Sequence, residues 1–250
     1  MEQKLKSAMD IGEEMLISGA EIHRVEDSIN RILKALGAAR VDVFIITTSM
    51  IASVTTSDGR VITQTRRINS LGTDFDKLHK LNALSRGICE GKIAPEEIDA
   101  ELEKIKPSKV YPLWVEFICY AFIAGAFTMF FGGDWMQAVA SLIIGVITRV
   151  VLLVSDNTVK NKVFSKFAAS FIATALSYLA VRIGMVGGHD EIIIGNIMVL
   201  IPGIGLTNSL RDLFTGDSIT GILRCLEALL IALAIAAGFF VFVALSGGAV

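Results

Sequence analysis

The feature that most constrains this chain is a series of long apolar stretches in its second part. Four of them hold twenty or more residues with few charged side chains: 111–131, 135–154, 163–185 and 219–245. A helix of about 20 apolar residues spans the ~30 Å hydrocarbon core of a bilayer. The pattern therefore predicts an all-α membrane bundle over residues 110–250.

A fifth apolar stretch, 192–206, is shorter and contains Pro202, Gly203 and Gly205. A straight helix of that length measures about 22 Å, which is short for a span. Proline removes a backbone donor, and glycine tolerates non-helical backbone. We therefore predict five transmembrane helices, the fourth of which is short or broken at Pro202-Gly203.

Charged residues are concentrated in the first part of the chain. Residues 1–109 contain 33 charged side chains, whereas residues 110–250 contain 15. The mean hydropathy is +0.62 and the net charge is −2, which excludes a nucleic-acid-binding protein. The cysteines and histidines lack metal-site spacing. We predict a soluble domain over 1–109, with no cofactor and no metal.

The soluble domain is predicted to be α+β. Helical periodicity covers 2–17, 20–36, 73–90 and 95–105. We expect Pro95 at the first position of the last of these helices. β-Branched residues predict strands at 41–48, 50–56 and 60–67, the last two joined by a turn at Asp58-Gly59. The domain therefore has at least three antiparallel strands.

Cations alternate between the loops of the membrane part. Lys104, Lys106 and Lys109 precede the first span, and Lys160 and Lys162 lie between the second and third spans. Cytoplasmic loops carry the excess of Lys and Arg. We predict a multi-pass protein of the plasma or inner membrane, with a cytoplasmic N-terminus and the C-terminus outside.

Charged side chains inside spans are costly and usually functional. Glu227 lies about 12 Å into the last predicted span and Glu116 about 8 Å into the first. A buried carboxyl group can hold a proton near neutral pH, so both are candidates for proton coupling. The alternatives are an ion pair between Glu227 and Arg224, and snorkelling of Glu116 and Arg149 to the cytosolic interface.

The strongest local signal is the segment 201–221, IPGIGLTNSLRDLFTGDSITG. Short interrupted spans point to transporter binding sites, because freed backbone groups at membrane depth must line a cavity or be buried in protein. Arg211 suits a carboxylate and Asp212 an ammonium group, so the segment suits a zwitterion. The alternative is a kinked helix and a capped loop. The predicted substrate-binding residues are Pro202, Gly203, Asn208, Arg211, Asp212 and Asn196.

A polar cluster in the second helix offers a competing, enzymatic interpretation. His23 and Asp27 are four residues apart and can meet on one helix face. The same spacing fits a solvated face with an ordinary intrahelical pair. The chain has no nucleotide-binding glycine motif and no GxSxG elbow. A membrane-anchored hydrolase therefore stays an alternative without a nucleophile–base pair to support it.

Two stretches resemble the threonine/serine exporter family: GEEMLISGAEIHRVEDSINRILKALG at 12–37 and IPGIGLTNSLRDLFTGDSITGILRCLEALLIALAIAAG at 201–238. The layout of a soluble domain followed by five spans agrees with that family. The resemblance implies export of small amino acids or, for two-component members, of dicarboxylates such as succinate. It also implies importance for a set of motif residues: Glu21, Arg24, Glu26, Pro202, Gly203, Asn208, Arg211, Asp212, Gly216, Asp217 and Gly221.

Fused members of that family carry a second membrane half, whereas this sequence stops after the fifth predicted span. We therefore expect a separate small membrane subunit as a partner. The alternative is a second copy of the chain inserted the opposite way, which the loop cations disfavour because they favour one orientation. The predicted function is a subunit of a proton-coupled secondary exporter of small polar amino acids, and not an enzyme. A dicarboxylate exporter is the alternative, and Arg149 or Arg224 supplies the second cation that it requires.

Overall fold

The computed structural model describes residues 1–107 and 111–247, which form a mostly helical protein with one small sheet. Residues cluster into two compact units. One unit combines the N-terminal residues with Thr207–Arg224, and the other contains the rest of the C-terminal part. The predicted domain boundary at 109/110, with Lys109, lies outside the described residues.

The N-terminal unit begins with two helices, α1 (Glu2–Ile17) and α2 (Ile22–Ala35). Their apolar residues recur at helical spacing, so that each helix buries one face. The turn between them passes through Gly19, whose φ of +93° is a conformation that glycine adopts without strain. Both predicted helices are confirmed, and the break between them includes residues 18 and 19, which separate the two predicted ranges.

The sheet has three strands, β1 (Arg40–Ile46), β2 (Ser49–Thr55) and β3 (Val61–Arg67), in the order β1-β2-β3. Both pairs are antiparallel, and Thr55 lies opposite Val61 across the second hairpin. Gly59 has φ +84° in the turn between them. Alternate residues of β2, namely Met50, Ala52 and Val54, are buried in the core that the strand shares with the helices, as expected for a strand with one face covered.

Two further helices complete the sequence-continuous part of this unit, α3 (Phe75–Cys89) and α4 (Ile98–Ile105). Asp74 caps α3 by accepting a hydrogen bond from the backbone N–H of Lys77 at 2.9 Å. The expectation for Pro95 is wrong, because α4 begins three residues later and Pro95 lies in the turn that precedes it.

Four helices of the C-terminal part are long and apolar enough to cross a membrane. They are α5 (Leu113–Phe130), α6 (Trp135–Thr158), α7 (Lys162–Arg182) and α10 (Ser218–Leu245). Each contains most of a predicted span. A helix of 28 residues such as α10 is about 42 Å long, which exceeds a ~30 Å hydrocarbon core.

The fourth predicted span is two helices, α8 (Asp190–Met198) and α9 (Gly203–Thr215), separated by residues 199–202. The pair together is long and apolar enough to count as one bent span, which would bring the number of spans to five. The prediction placed Gly203 and Gly205 in non-helical backbone, but both lie in the first turn of α9. The reason is that Pro202 fits ahead of a helix, where its missing N–H is not needed, and its carbonyl accepts from Leu206 N at 3.0 Å.

The membrane helices approach one another at glycines. A Cβ added to Gly145 of α6 would lie 2.7 Å from the carbonyl oxygen of Tyr120 in α5. One added to Gly195 of α8 would lie 2.7 Å from the backbone nitrogen of Thr128. Small residues let helix backbones approach closely, which is how helices associate in lipid.

Gln137 joins two turns of this bundle. Its backbone N–H and its side-chain oxygen form a capping box with Asp134 at the start of α6, with both bonds at 2.8 Å. Its side-chain nitrogen also donates to the carbonyl of Gly188 at 3.1 Å and to Glu191 Oε2 at 2.9 Å. The α5–α6 turn and the α7–α8 connection are therefore neighbours.

Candidate functional site

The predicted substrate-binding residues are divided between the two units. The second unit, which contains most of the long apolar helices, is called the membrane unit below. Asn196, Pro202 and Gly203 belong to it, whereas Asn208, Arg211 and Asp212 cluster with the N-terminal unit. The unit boundary falls within α9, between Leu206 and Thr207.

In the membrane unit, the helix break follows a buried amide. Asn196 is fully buried, and its side-chain nitrogen donates to the carbonyl of Ile192 at 2.9 Å. Its Oδ1 has no hydrogen-bond partner among the described residues. Four residues later the regular helix has ended, and Leu200 N bonds instead to Ile197 O at 2.8 Å. A polar, irregular backbone therefore adjoins an amide that retains an acceptor.

The interior of the same bundle is lined by hydroxyl groups, most of which have partners. Thr128 Oγ1 and Ser141 Oγ lie 2.6 Å apart, joining α5 to α6. Ser170 Oγ donates to the carbonyl of Ile235 at 2.7 Å, joining α7 to α10. Thr148 Oγ1 of α6 is the exception, because it is buried and has no partner within residues 1–107 and 111–247.

In the N-terminal unit, both charges of the predicted zwitterion site have partners. Arg211 Nη1 lies 2.6 Å from Glu21 Oε1, and Arg224 Nη1 lies 2.9 Å from Asp212 Oδ2. Arg211 is largely exposed, whereas Asp212 is 1% exposed. Each charge is therefore balanced by a different residue, and Asn208 is half-buried on the same helix.

This arrangement decides one alternative about Arg224. The guanidinium pairs with Asp212 twelve residues earlier and not with Glu227 on its own helix. A buried carboxylate requires such a partner, because an unpaired buried charge is strongly destabilising. The glycines of the motif serve the same turn: Gly216 has φ +99°, and a Cβ on Gly221 would lie 2.9 Å from Leu213 N.

Glu26 of the N-domain motif accepts a hydrogen bond from the backbone N–H of Ile45 at 2.9 Å. Burial raises the pKa of this carboxyl above its usual value, the bond from Ile45 opposes that rise, and the nearby charge of Asp217 adds to it. Arg24, by contrast, is exposed. Glu26 therefore ties α2 to β1 and lies close to the α9–α10 turn.

The enzymatic interpretation relied on a contact between His23 and Asp27. Asp27 pairs instead with Arg31, at 2.8 Å and four residues along the helix, and His23 is exposed. This is the ordinary intrahelical pair of a solvated face.

Glu116 and Arg149, two charged residues of the predicted spans, form an ion pair. Arg149 of α6 donates from Nε to Glu116 Oε2 of α5 at 2.8 Å, with a second bond from Nη2. The guanidinium also lies 5.4 Å from the centre of the Tyr120 ring. The sequence identified both residues but did not predict that they pair.

Glu227 lies on an exposed face of α10, beside exposed leucines such as Leu226 and Leu230. Because Glu227 is not buried in the bundle, burial does not support a role for it in proton coupling. Its role as a coupling group stays a prediction.

Two features escaped the sequence interpretation. The pairing of Glu21 with Arg211 was not predicted, because nothing in the sequence links two residues that lie 190 positions apart. Thr148 was overlooked although Ile144, Thr148 and Leu152 recur every four residues on one helix face, which was a readable signal of an inward position.

The chain was compared with known proteins. The model of a family described as putative threonine/serine exporter matches residues 6–246. The chain belongs to this family. No solved structure matches the chain.

Several relatives are named as transporters. The threonine/serine exporter of Corynebacterium glutamicum is 27% identical over 92% of the chain, which corresponds to 49% of that protein. A probable threonine/serine exporter of Mycobacterium tuberculosis is 27% identical over 78% of the chain and 37% of its own length. A probable succinate transporter subunit of Klebsiella aerogenes is 25% identical over 90% of the chain and 86% of its length.

The chain spans half or less of the two exporters but most of the transporter subunit. The names of the family and of these relatives describe transport across a membrane. The chain is therefore a member of a transporter family and not an enzyme.

Proposed function

We propose that the chain is one subunit of a secondary active exporter of small polar amino acids of the threonine or serine kind. The observation that carries the proposal is the helix break at residues 199–202 directly after the buried Asn196, in a bundle of exporter-family helices. Irregular backbone at membrane depth lines cavities in transporters. Asn196, Pro202 and Gly203 form the membrane part of the proposed site.

Asn208, Arg211 and Asp212 form the second part of the proposal. Since both charges have protein partners, a zwitterionic solute would exchange for Glu21 at Arg211 or for Arg224 at Asp212. Such an exchange changes the pairing of α9 with α2, so that the motif residues of the N-terminal unit take part in transport.

Proton coupling is proposed for a carboxyl group of the membrane unit, with Glu227 and Glu116 as candidates. Glu116 already has the partner that would respond to its protonation, because a neutral Glu116 would release Arg149. Glu227 is exposed on α10 and would face either lipid or another subunit.

A second small membrane subunit is the proposed partner. The chain spans 49% of the Corynebacterium exporter but 86% of a protein named as a transporter subunit. We place the assembly in the plasma or inner membrane, with the N-terminus in the cytoplasm and the C-terminus outside, as the loop cations predict.

The test is efflux from vesicles that contain the chain and its partner, loaded with threonine, serine or succinate, with and without a pH gradient. We expect efflux of an amino acid that depends on the gradient and falls at least tenfold in Arg211→Gln and Asn208→Ala. Arg67→Gln, on the exposed end of β3, is the control. Unchanged efflux in both site variants, or none from the wild type, would refute the proposal.

A dicarboxylate exporter is the second candidate, favoured by the relative named as a succinate transporter subunit. Such a substrate needs a second cation. A cavity of about 660 Å³ at the end of α7 is lined by Arg182 and His189 together with Tyr178 and Phe242. Efflux of succinate in the same vesicles, lost in Arg182→Gln, would favour this candidate.

A further inference from the structure

Two buried polar atoms of the membrane unit lack a hydrogen-bond partner among the described residues: Oδ1 of Asn196 and Oγ1 of Thr148. Both residues are at most 1% exposed. Nearly all buried polar atoms in proteins are paired, since leaving one unpaired forfeits its hydrogen bonds to water without replacing them. Two such atoms in one helix bundle therefore require an explanation.

The two residues occupy the same layer of the bundle. Ile144 of α6 and Ile192 of α8 belong to one apolar cluster, whereas Leu152 of α6 and Leu200, in the break that follows α8, belong to another. Thr148 lies four residues from Ile144 and from Leu152, so it shares one face of α6 with a member of each cluster. Asn196 lies one turn after Ile192 on α8 and four residues before Leu200. Each polar residue therefore lies between a member of the first cluster and a member of the second along its own segment.

Other hydroxyl groups of the bundle show that this is not a general property of its threonines. Thr174 of α7 is fully buried, and its Oγ1 donates to the carbonyl of Ser170 at 2.8 Å. Thr128 likewise has a partner in Ser141. A buried threonine normally bonds to the carbonyl four residues earlier, and Thr148 does not.

The chemistry of the layer selects its ligand. The side-chain nitrogen of Asn196 already donates to Ile192 O, which fixes the amide orientation and leaves its oxygen as an acceptor. The guanidinium of Arg149, the residue after Thr148, is paired with Glu116. A neutral acceptor of this kind binds N–H or O–H donors, whereas an ionised carboxylate offers acceptors only.

We propose that Thr148 and Asn196 form a subsite that binds the ammonium or hydroxyl group of a small amino acid. The inference rests on the proposed function and sharpens it, because it names where the solute's donors bind and predicts weaker binding of a fully ionised dicarboxylate, which has no donor for Asn196 Oδ1. Pro202 and Gly203 lie six and seven residues after Asn196 in the chain, where the break ends and α9 begins.

The test is equilibrium binding of labelled threonine to the purified full-length chain in detergent, with unlabelled serine and succinate as competitors. Thr148→Val removes the hydroxyl without changing the shape of the side chain. We expect a roughly tenfold weaker affinity for threonine, as for one lost hydrogen bond, and competition by serine but not by succinate. Thr174→Val is the matched control, and its affinity should equal that of the wild type.

Thr148→Ser restores the hydroxyl and should recover most of the affinity, which separates binding from packing. Thermal midpoints of all variants are measured alongside, and Thr148→Val should unfold no earlier than the wild type, since it removes an unpaired polar group. Equal affinity in Thr148→Val and the wild type would overturn the inference and indicate a structural water in this layer. So would the absence of threonine binding, or full competition by succinate.

The outcome is separable from that of the proposed function, which depends on efflux. Efflux of threonine with unchanged affinity in Thr148→Val would leave the exporter standing and remove the subsite. Threonine binding that depends on Thr148, without efflux in the reconstituted vesicles, would leave the subsite standing and remove the exporter.

Discussion

The two units of this protein are built on opposite plans. Most of the large, fully buried side chains among the described residues lie between Leu5 and Ile98, in the N-terminal unit, and Ile192 and Leu200 are examples in the membrane unit. The membrane unit buries mainly alanine, glycine, serine and threonine, and it exposes large residues such as Phe130 and Leu233.

The difference follows from the solvent of each unit. In water, burial of apolar area drives folding at about 25 cal/mol per Å², so that large side chains belong inside. In lipid that driving force is absent between helices, and close packing and interhelical hydrogen bonds hold the bundle together. Each plan predicts a different response to the same kind of substitution.

The largest effect is expected in the N-terminal core. Leu33→Ala leaves a cavity at a fully buried position of α2 and should lower the free energy of unfolding by about 2–5 kcal/mol. Leu233→Ala, at an exposed position of α10, should change it by less than about 0.5 kcal/mol in detergent. Urea unfolding followed by circular dichroism measures both. Equal losses would contradict the comparison.

The membrane unit should instead be sensitive to added volume. Gly195→Ala places a methyl group against the backbone of Thr128 and Ala124 and should destabilise the bundle by about 1–3 kcal/mol. Gly187→Ala is the control, because nothing lies within 4 Å of its added Cβ. Thermal unfolding in detergent compares the two variants, and a Gly195→Ala midpoint equal to that of the control would be evidence against close helix contact.

A smaller effect is expected at the ion pair of α5 and α6. Arg149→Gln leaves Glu116 without its partner; since the Glu116 side chain is 33% exposed, the cost should be about 1–2 kcal/mol, below that of a fully buried pair. The double variant Glu116→Gln/Arg149→Gln should recover most of that loss. The same unfolding assay measures it, and no recovery would show that the pair is not coupled.

The smallest effect concerns pH. Burial raises the pKa of Glu26 above its ordinary value, so the stability this carboxyl contributes is complete below pH 4.5 and is lost as the pH rises through the raised pKa. Glu26→Gln should therefore be more stable than the wild type at pH 8 and equal to it near pH 4. Thermal midpoints across that range test this, with exposed Glu96→Gln as the control. A difference independent of pH would argue for lost packing instead.

Much of the architecture could be predicted, because it depends on local patterns. Periodicity located α1, α2, the three strands and the four long helices, and Asp58-Gly59 located the second hairpin. Pro202 correctly predicted a broken helix. The presence of a proline does not show, however, where the first helix ends and where the next one begins. Whether five helices span a membrane, and in which direction, stays a prediction from loop charges.

The candidate site was harder to predict, because its partners are distant in sequence. Arg211 and Asp212 looked like an open pair of charges, and their partners, Glu21 and Arg224, depend on how the chain folds back. Glu116 and Arg149 lie on two different helices. The apolar pattern of each helix does not show how far one helix is shifted along the other, so the pair could not be predicted. An unpaired acceptor such as Asn196 Oδ1 is visible only when every neighbour has been placed.

The hydrogen bonds of Gln137 also constrain the membrane topology of the chain. The side-chain amide of Gln137 accepts from Asp134 N–H and donates to Gly188 and Glu191, so both connections must emerge into the same compartment. A water-soluble thiol reagent applied from one side should reach cysteines introduced at the exposed Trp135 and at Gly187 together or reach neither. The side of the membrane from which both cysteines are labelled also gives the direction in which α5, α6 and α7 run.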